Sequence, residues 1–145
     1  MEKDIRQHID DGSIIVFIDG DCGLCSLSAL FILRHDLKAQ IHIAALQSEL
    51  GREACRLAGQ NPDDLNTVLF LEKGLFYSQS TAMLRVAIGH FSLPFRILAR
   101  ICSMIPLFIR DRIYNLVVKN RHRFFGNKKC EIPPDHLGKF FLSGK

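Results

Sequence analysis

Tryptophan is absent from this 145-residue chain, and so is any long uncharged apolar run. The most hydrophobic stretch, Phe91 to Val118, is interrupted by Arg96, Arg100, Arg110, Asp111 and Arg112. It therefore falls short of the roughly 20 apolar residues that a bilayer-crossing helix needs. The amino terminus, Met1-Glu2-Lys3-Asp4-Ile5-Arg6, carries charges of both signs and precedes no apolar run ending in a small-residue cleavage site, so it does not read as a secretory signal. Internal repeats and low-complexity tracts are also missing. The expected location is the cytoplasm.

Cysteine is sparse, five residues and an odd number. Without an export signal this argues against a structural disulfide framework, because the cytosol keeps thiols reduced. Any disulfide should be functional and transient. No second close pair of ligands accompanies Cys22 and Cys25, although a structural zinc site normally shows one. A site completed by Cys130 with His122 or His136 is the form such a metal centre would take.

The composition, 48% apolar and 23% charged, is that of a folded globular protein, and the length fits one domain spanning residues 1–145. Its charge is uneven. Residues 1 to 93 hold 8 Lys/Arg against 12 Asp/Glu, a net of −4, whereas residues 94 to 145 hold 11 against 3, a net of +8.

Ile14-Ile15-Val16-Phe17-Ile18 is a short, wholly apolar, β-branched run stopped by Asp19-Gly20, the pattern of a strand buried on both faces. From Cys22 onward Leu24, Leu27, Leu30 and Phe31 recur at helical spacing, with Asp21 as cap and Arg34-His35 in the last turn. Ile41 to Ala44 predicts a second strand, and Leu50, Ala54 and Leu57 a helix capped by Ser48 and ended by Gly59. Asn61 to Asp64 is a turn. Thr67 to Leu71 predicts a third strand, Lys73-Gly74 a tight turn and Leu75 to Tyr77 its returning partner. Ser80 to Ile88 reads as a helix closed by Gly89, and two further helices begin near Pro94 and Pro106. The order predicts a three-layer α/β sandwich, parallel at first with an antiparallel hairpin at its end. Its βαβαββα core covers about residues 13–90, and a helical extension with a basic tail covers about 91–145. The tail from Lys119 to Cys130 is assigned no regular structure.

The sequence Asp19-Gly20-Asp21-Cys22-Gly23-Leu24-Cys25 carries the chemistry. A thiol attacks as its thiolate, and the first turn of a helix stabilises an anion through free N–H groups and the helix dipole. The spacing of three residues brings both cysteines onto one face. Cys22 is then the nucleophile and Cys25 the resolving thiol. At a strand-to-helix junction this spacing reads as redox rather than metal binding. Asp19, at the strand end, is placed as a general base toward Cys25, with capping or turn formation as its plainer role.

The segment Asp19 to Cys25, together with Ala44-Ala45-Leu46-Gln47-Ser48, with Tyr114 to Gly126 and with Cys130, resembles the DCC family of thiol-disulfide oxidoreductases. The resemblance covers roughly Ile14 to Pro133. It implies a thioredoxin-like fold and disulfide exchange at Cys22 and Cys25, with Asp19 as the third residue of the motif. Two departures from thioredoxins stand out. Asn66 occupies the position of their cis-proline, where a trans bond is expected because a non-proline cis bond costs about 2.5 to 4 kcal/mol. Asp21 replaces the aromatic residue before the first cysteine.

The expected substrates are protein or small-molecule disulfides, with no organic cofactor, no metal and no nucleic acid. Cys55 and Cys102 read as small core residues, and Cys130 as a secondary thiol candidate. The basic cluster Lys119 to Lys129 is expected to face solvent or the acidic core rather than an external polyanion, and the helices around Phe91 to Phe108 to pack into the core rather than lie on a membrane. The rival reading is a thioredoxin-like binding module with vestigial or metal-holding thiols, recognising a partner or membrane through its tail.

Overall fold

The computed structural model describes residues 5–18, 23–38, 40–61, 63, 68–125 and 141–142, with the main chain alone for 23–27, 121, 122, 124, 125, 141 and 142. Two elements open the chain: helix α1 (Ile5–Asp10) and strand β1 (Ile14–Ile18). Then follow α2 (Gly23–His35), β2 (Ile41–Ala45), α3 (Glu49–Leu57), β3 (Leu69–Glu72) and β4 (Leu75–Ser78). The last part comprises α4 (Gln79–His90), α5 (Leu93–Ser103), α6 (Leu107–Phe125) and the two-residue strand β5 (Phe141–Leu142).

The sheet order is β4-β3-β1-β2-β5. Strand β1 is central, parallel to β2 through Ile14↔Ile41 to Ile18↔Ala45 and antiparallel to β3 through Phe17↔Leu69. Its alternation serves two cores. Val16 and Ile18 pack with Ala29, Ile32 and Val86 beneath α2 and α4, while Ile15 and Phe17 pack with Ile5, Ala54 and Leu69 beneath α1 and α3. That is why the run is apolar at every position rather than at every second one. Phe17 and Phe70 are fully buried, and each such side chain contributes about 2 to 3 kcal/mol of transfer free energy.

The local signals act as the sequence implies. Ser48 accepts a hydrogen bond from the Gly51 N–H (3.0 Å) and donates to the Ala45 carbonyl (2.6 Å), so one hydroxyl caps α3 and ties it to the end of β2. Lys73 and Gly74 both have positive φ, 51° and 76°, as a two-residue primed turn requires. Gly51 is where α3 meets β2. A methyl group there would fall on the Ala45 carbonyl oxygen and within 2.7 Å of Leu46 Cα, both main-chain atoms that cannot rotate away. Gly51→Ala is therefore expected to lower stability by about 2 to 3 kcal/mol, read from the denaturant midpoint, despite alanine's better helix propensity. An unchanged midpoint would show that α3 sits further from the strand.

The structure differs from the sequence reading at several points. Strand β3 runs to Glu72, because Glu72 pairs with Leu75 across the turn; Thr67 and Asn66 lie outside the described residues. Gly89 does not close α4, which continues to His90, whose carbonyl accepts from the Leu37 N–H (3.0 Å). Lys119 to Phe125 are helical, the carboxyl-terminal turns of α6. Two elements were not anticipated: α1, whose Ile5 is fully buried, and β5, which adds to β2 through Ile43↔Phe141. Cys55 is buried as expected, but Cys102 is only half-buried. Above all, the apolar residues of α5 and α6 do not all enter the core. Met104 is 83% exposed and Phe108 74%.

Candidate active site

The carboxyl end of β1 is the focus, because the sequence that follows it holds both motif cysteines. Strand β1 ends at Ile18 and α2 begins at Gly23, so the motif spans the junction and Cys25 falls in the first turn of α2. Asp19, Asp21 and Cys22 lie outside the described residues, as does the side chain of Cys25.

The surroundings of that junction are well defined. The Leu46 N–H donates to the Ile18 carbonyl (2.7 Å), extending the β1–β2 ladder past the last strand residue. It thereby sets the segment Ala44 to Ser48 beside the point where the chain leaves β1. The last residues of β1 and β2, Ile18 and Ala45, which are 27 residues apart in sequence, thus lie side by side at one end of the sheet. Because β1 and β2 are parallel, α2 and α3 both start at this edge, one on each face of the sheet. The N-terminus of a helix such as α2 offers oriented N–H groups and a positive dipole end, which favour a thiolate.

The other side of the edge is built by the antiparallel pair. Leu69 lies opposite Phe17, so β3 enters where β1 leaves, and the Gln79 N–H donates to the Val68 carbonyl (3.1 Å). Gln79 adopts φ 53°, a left-handed conformation unusual for a residue with a side chain, at the turn that starts α4. Sequence reasoning missed it, since nothing in Ser78-Gln79-Ser80 signals a positive φ.

A shallow apolar groove of about 360 Å³ lies between α2 and α4, lined by Ser28, Phe31, Ile32, Met83, Ala87 and Phe91. It begins at Ser28, three residues beyond Cys25 on α2, and ends at an aromatic cluster. There Phe31 stacks on His35 at 4.1 Å and meets Phe91 and Phe95 edge-on at 5.7 Å each.

At the opposite end of the sheet, buried His90 lies between two carboxylates: Nδ1 is 3.5 Å from Asp36 and Nε2 3.5 Å from Glu72. Neither contact has hydrogen-bond geometry. This cluster sits at the carboxyl end of α2, at the opposite end of the sheet from the start of that helix.

Among the described residues no group of three His, Cys, Asp or Glu is arranged to hold a metal ion. Of the metal set that the sequence suggested, Cys130 and His136 lie outside them, as does the side chain of His122. Among the same residues, no helix is long and apolar enough to cross a membrane.

A central β1 flanked by parallel β2 and antiparallel β3, with α2 and α4 on one face and α3 on the other, defines a thioredoxin-like α/β protein. The cysteine motif stands where the first helix of that fold begins. The chain belongs to the DCC1-like thiol-disulfide oxidoreductase family, whose model matches residues 16–127. It is similar to a chloroplastic DCC family protein of Arabidopsis thaliana, with 36% identity over 85% of this chain and 72% of that protein. It is also similar to the uncharacterized protein YuxK of Bacillus subtilis, with 33% identity over 88% of this chain and 93% of that one. No solved structure matches it. Family membership supports a thiol-disulfide oxidoreductase role.

Proposed function

We propose that the protein is a dithiol-disulfide oxidoreductase of the reductase type, acting through Cys22 and Cys25. The Cys22 thiolate attacks one sulfur of a substrate disulfide, forming a mixed disulfide and releasing the other sulfur as a thiolate. Cys25 gives up its proton and attacks the Cys22 sulfur, closing an intramolecular disulfide and releasing the second substrate thiol. Two electrons pass to the substrate, and an external thiol or dithiol donor returns the pair to its reduced state. Asp19 accepts the Cys25 proton. No organic cofactor enters the exchange.

The observation that carries this reading is the position of the motif. It follows a buried central strand and ends in the first turn of α2, in a chain whose family is named for this chemistry. Substrates are protein or small-molecule disulfides. The groove from Ser28 to Phe91 offers apolar surface one turn from Cys25, which suits a side chain flanking a protein disulfide. A thiol-reducing compartment such as the cytoplasm fits the cycle.

Equilibrating the protein with graded thiol-disulfide buffers and trapping free thiols for mass spectrometry tests the reading. The expected result is one two-electron transition confined to Cys22 and Cys25, at a midpoint between roughly −270 and −120 mV. A pair that never oxidises, or that bound metal protects, would overturn it in favour of a binding module.

A further inference from the structure

Helices α5 and α6 each carry two apolar faces, of which only the inner one is used. On α5, Phe95, Ala99 and Cys102 recur at i, i+4 and i+7 toward the body, where Ala99 is buried and Phe95 packs against the core. On α6, Tyr114 and Val118 take the corresponding place. The outer faces stay exposed. Ile97, Ile101 and Met104 on and just beyond α5, and Ile109, Ile113 and Leu116 on α6, form stripes at helical spacing around the α5–α6 turn, with exposed Phe108 at the start of α6.

Charge on this surface has one sign. Residues 93 to 125 contain seven Lys/Arg and one acid, a net of +6. Arg96 and Arg100 flank the α5 stripe, and Arg112, Lys119 and Arg123 flank that of α6; all five are exposed. The lone acid, Asp111, accepts a hydrogen bond from the Ser80 hydroxyl and is only partly exposed. An exposed apolar stripe bordered by a row of cations is the pattern of a helix lying in the headgroup region of an anionic bilayer.

We propose that the outer face of α5 and α6 docks on the surface of an anionic phospholipid membrane, with Ile101, Met104 and Phe108 entering the acyl boundary and the arginines meeting lipid phosphates. A second copy is disfavoured because a two-fold contact through this face would set a net +6 against another +6. A protein groove-binding mode is disfavoured as well. Met104 and Phe108 are 83% and 74% exposed at the turn, as inserting side chains are. The Ser80–Asp111 bond also ties the first turn of α4 to the second turn of α6. The docking surface therefore begins near the end of the sheet at which β1 finishes.

Co-sedimentation of the full chain with vesicles of phosphatidylcholine alone, and of phosphatidylcholine mixed with phosphatidylglycerol, tests the proposal. Binding to the mixed vesicles only, weakening as salt is raised, is expected. Replacing Arg100 and Arg112 together by Gln should weaken it about thirtyfold, from about 1 kcal/mol per basic residue near the surface. Met104→Ser with Phe108→Ser should abolish it, with an unchanged thermal midpoint because both side chains are exposed in the free protein. No binding to mixed vesicles, equal binding to both kinds, or variants that bind like the parent chain would overturn it. So would a concentration-dependent dimer in sedimentation velocity that the Met104 and Phe108 changes dissolve, which would assign the face to a second copy. Lipid binding requires no thiol, so Cys22→Ser protein should bind vesicles normally, and this outcome is separate from the redox reading.

Discussion

Cys22→Ser protein is expected to lose insulin-disulfide reduction by several orders of magnitude, whereas Cys25→Ser protein should stall with substrate attached. The two thiols occupy different stages of one exchange. Without Cys22 there is no attacking sulfur, and a serine hydroxyl does not substitute for a thiolate. Without Cys25 the first step still runs, so the mixed disulfide accumulates and intact-mass measurement should find the chain with one substrate thiol added. Asp19→Asn should leave the adduct forming normally but slow its resolution, on the order of a hundredfold for loss of a positioned base. If Cys25→Ser protein turned over like the parent chain, resolution would have to come from an external thiol. If Cys22→Ser protein did, the motif would not be the site.

Asp36→Ala is expected to be among the most destabilising single changes in the chain, by about 3 to 5 kcal/mol. Its side chain is 1% exposed, at the point where α2 gives way to β2. One carboxylate oxygen accepts from the N–H groups of Gln40 (2.7 Å) and Ile41 (2.8 Å), and the other from Lys38 at 3.3 Å. Removing the carboxylate orphans these donors in the interior, at about 1 to 3 kcal/mol for each that water cannot reach. It also deprives His90 of one of its two acidic neighbours. Asp36→Asn retains an acceptor oxygen and should lose less than half as much. Chemical denaturation of the parent chain, both Asp36 variants, His90→Phe and the Asp36→Ala/His90→Phe pair would separate the two contributions. Strict additivity in the pair would mean that Asp36 acts on the backbone alone.

Legibility from sequence followed how locally each element is specified. Strand β1 could be read because a run buried on both faces must be apolar throughout. The α3 start could be read because Ser48 serves a neighbouring N–H, and the hairpin because Lys73-Gly74 adopts a conformation few other pairs accept. Helix α1 could not, since six residues with one fully buried side chain carry no period. The carboxyl-terminal turns of α6 were hidden by composition. Lys119 to Phe125 resembles a basic tail, but extending a helix already nucleated is far cheaper than starting one. Gly89 looked like a stop, yet α4 continues because His90 finds its place between Asp36 and Glu72.

The amino-acid sequence by itself determined the order of the core elements, the position of the cysteine motif at a strand-to-helix junction and the family, because each rests on contacts or spacings a few residues long. Only the tertiary structure decided that Ala44 to Ser48 closes over the end of β1, that a fifth strand adds to β2, and that the outer faces of α5 and α6 remain uncovered. The physical reason is that hydrophobicity states which side chains gain from leaving water, but not whether the fold has surface left to receive them. Strand β1 found a core on both sides; α5 and α6 found one side only.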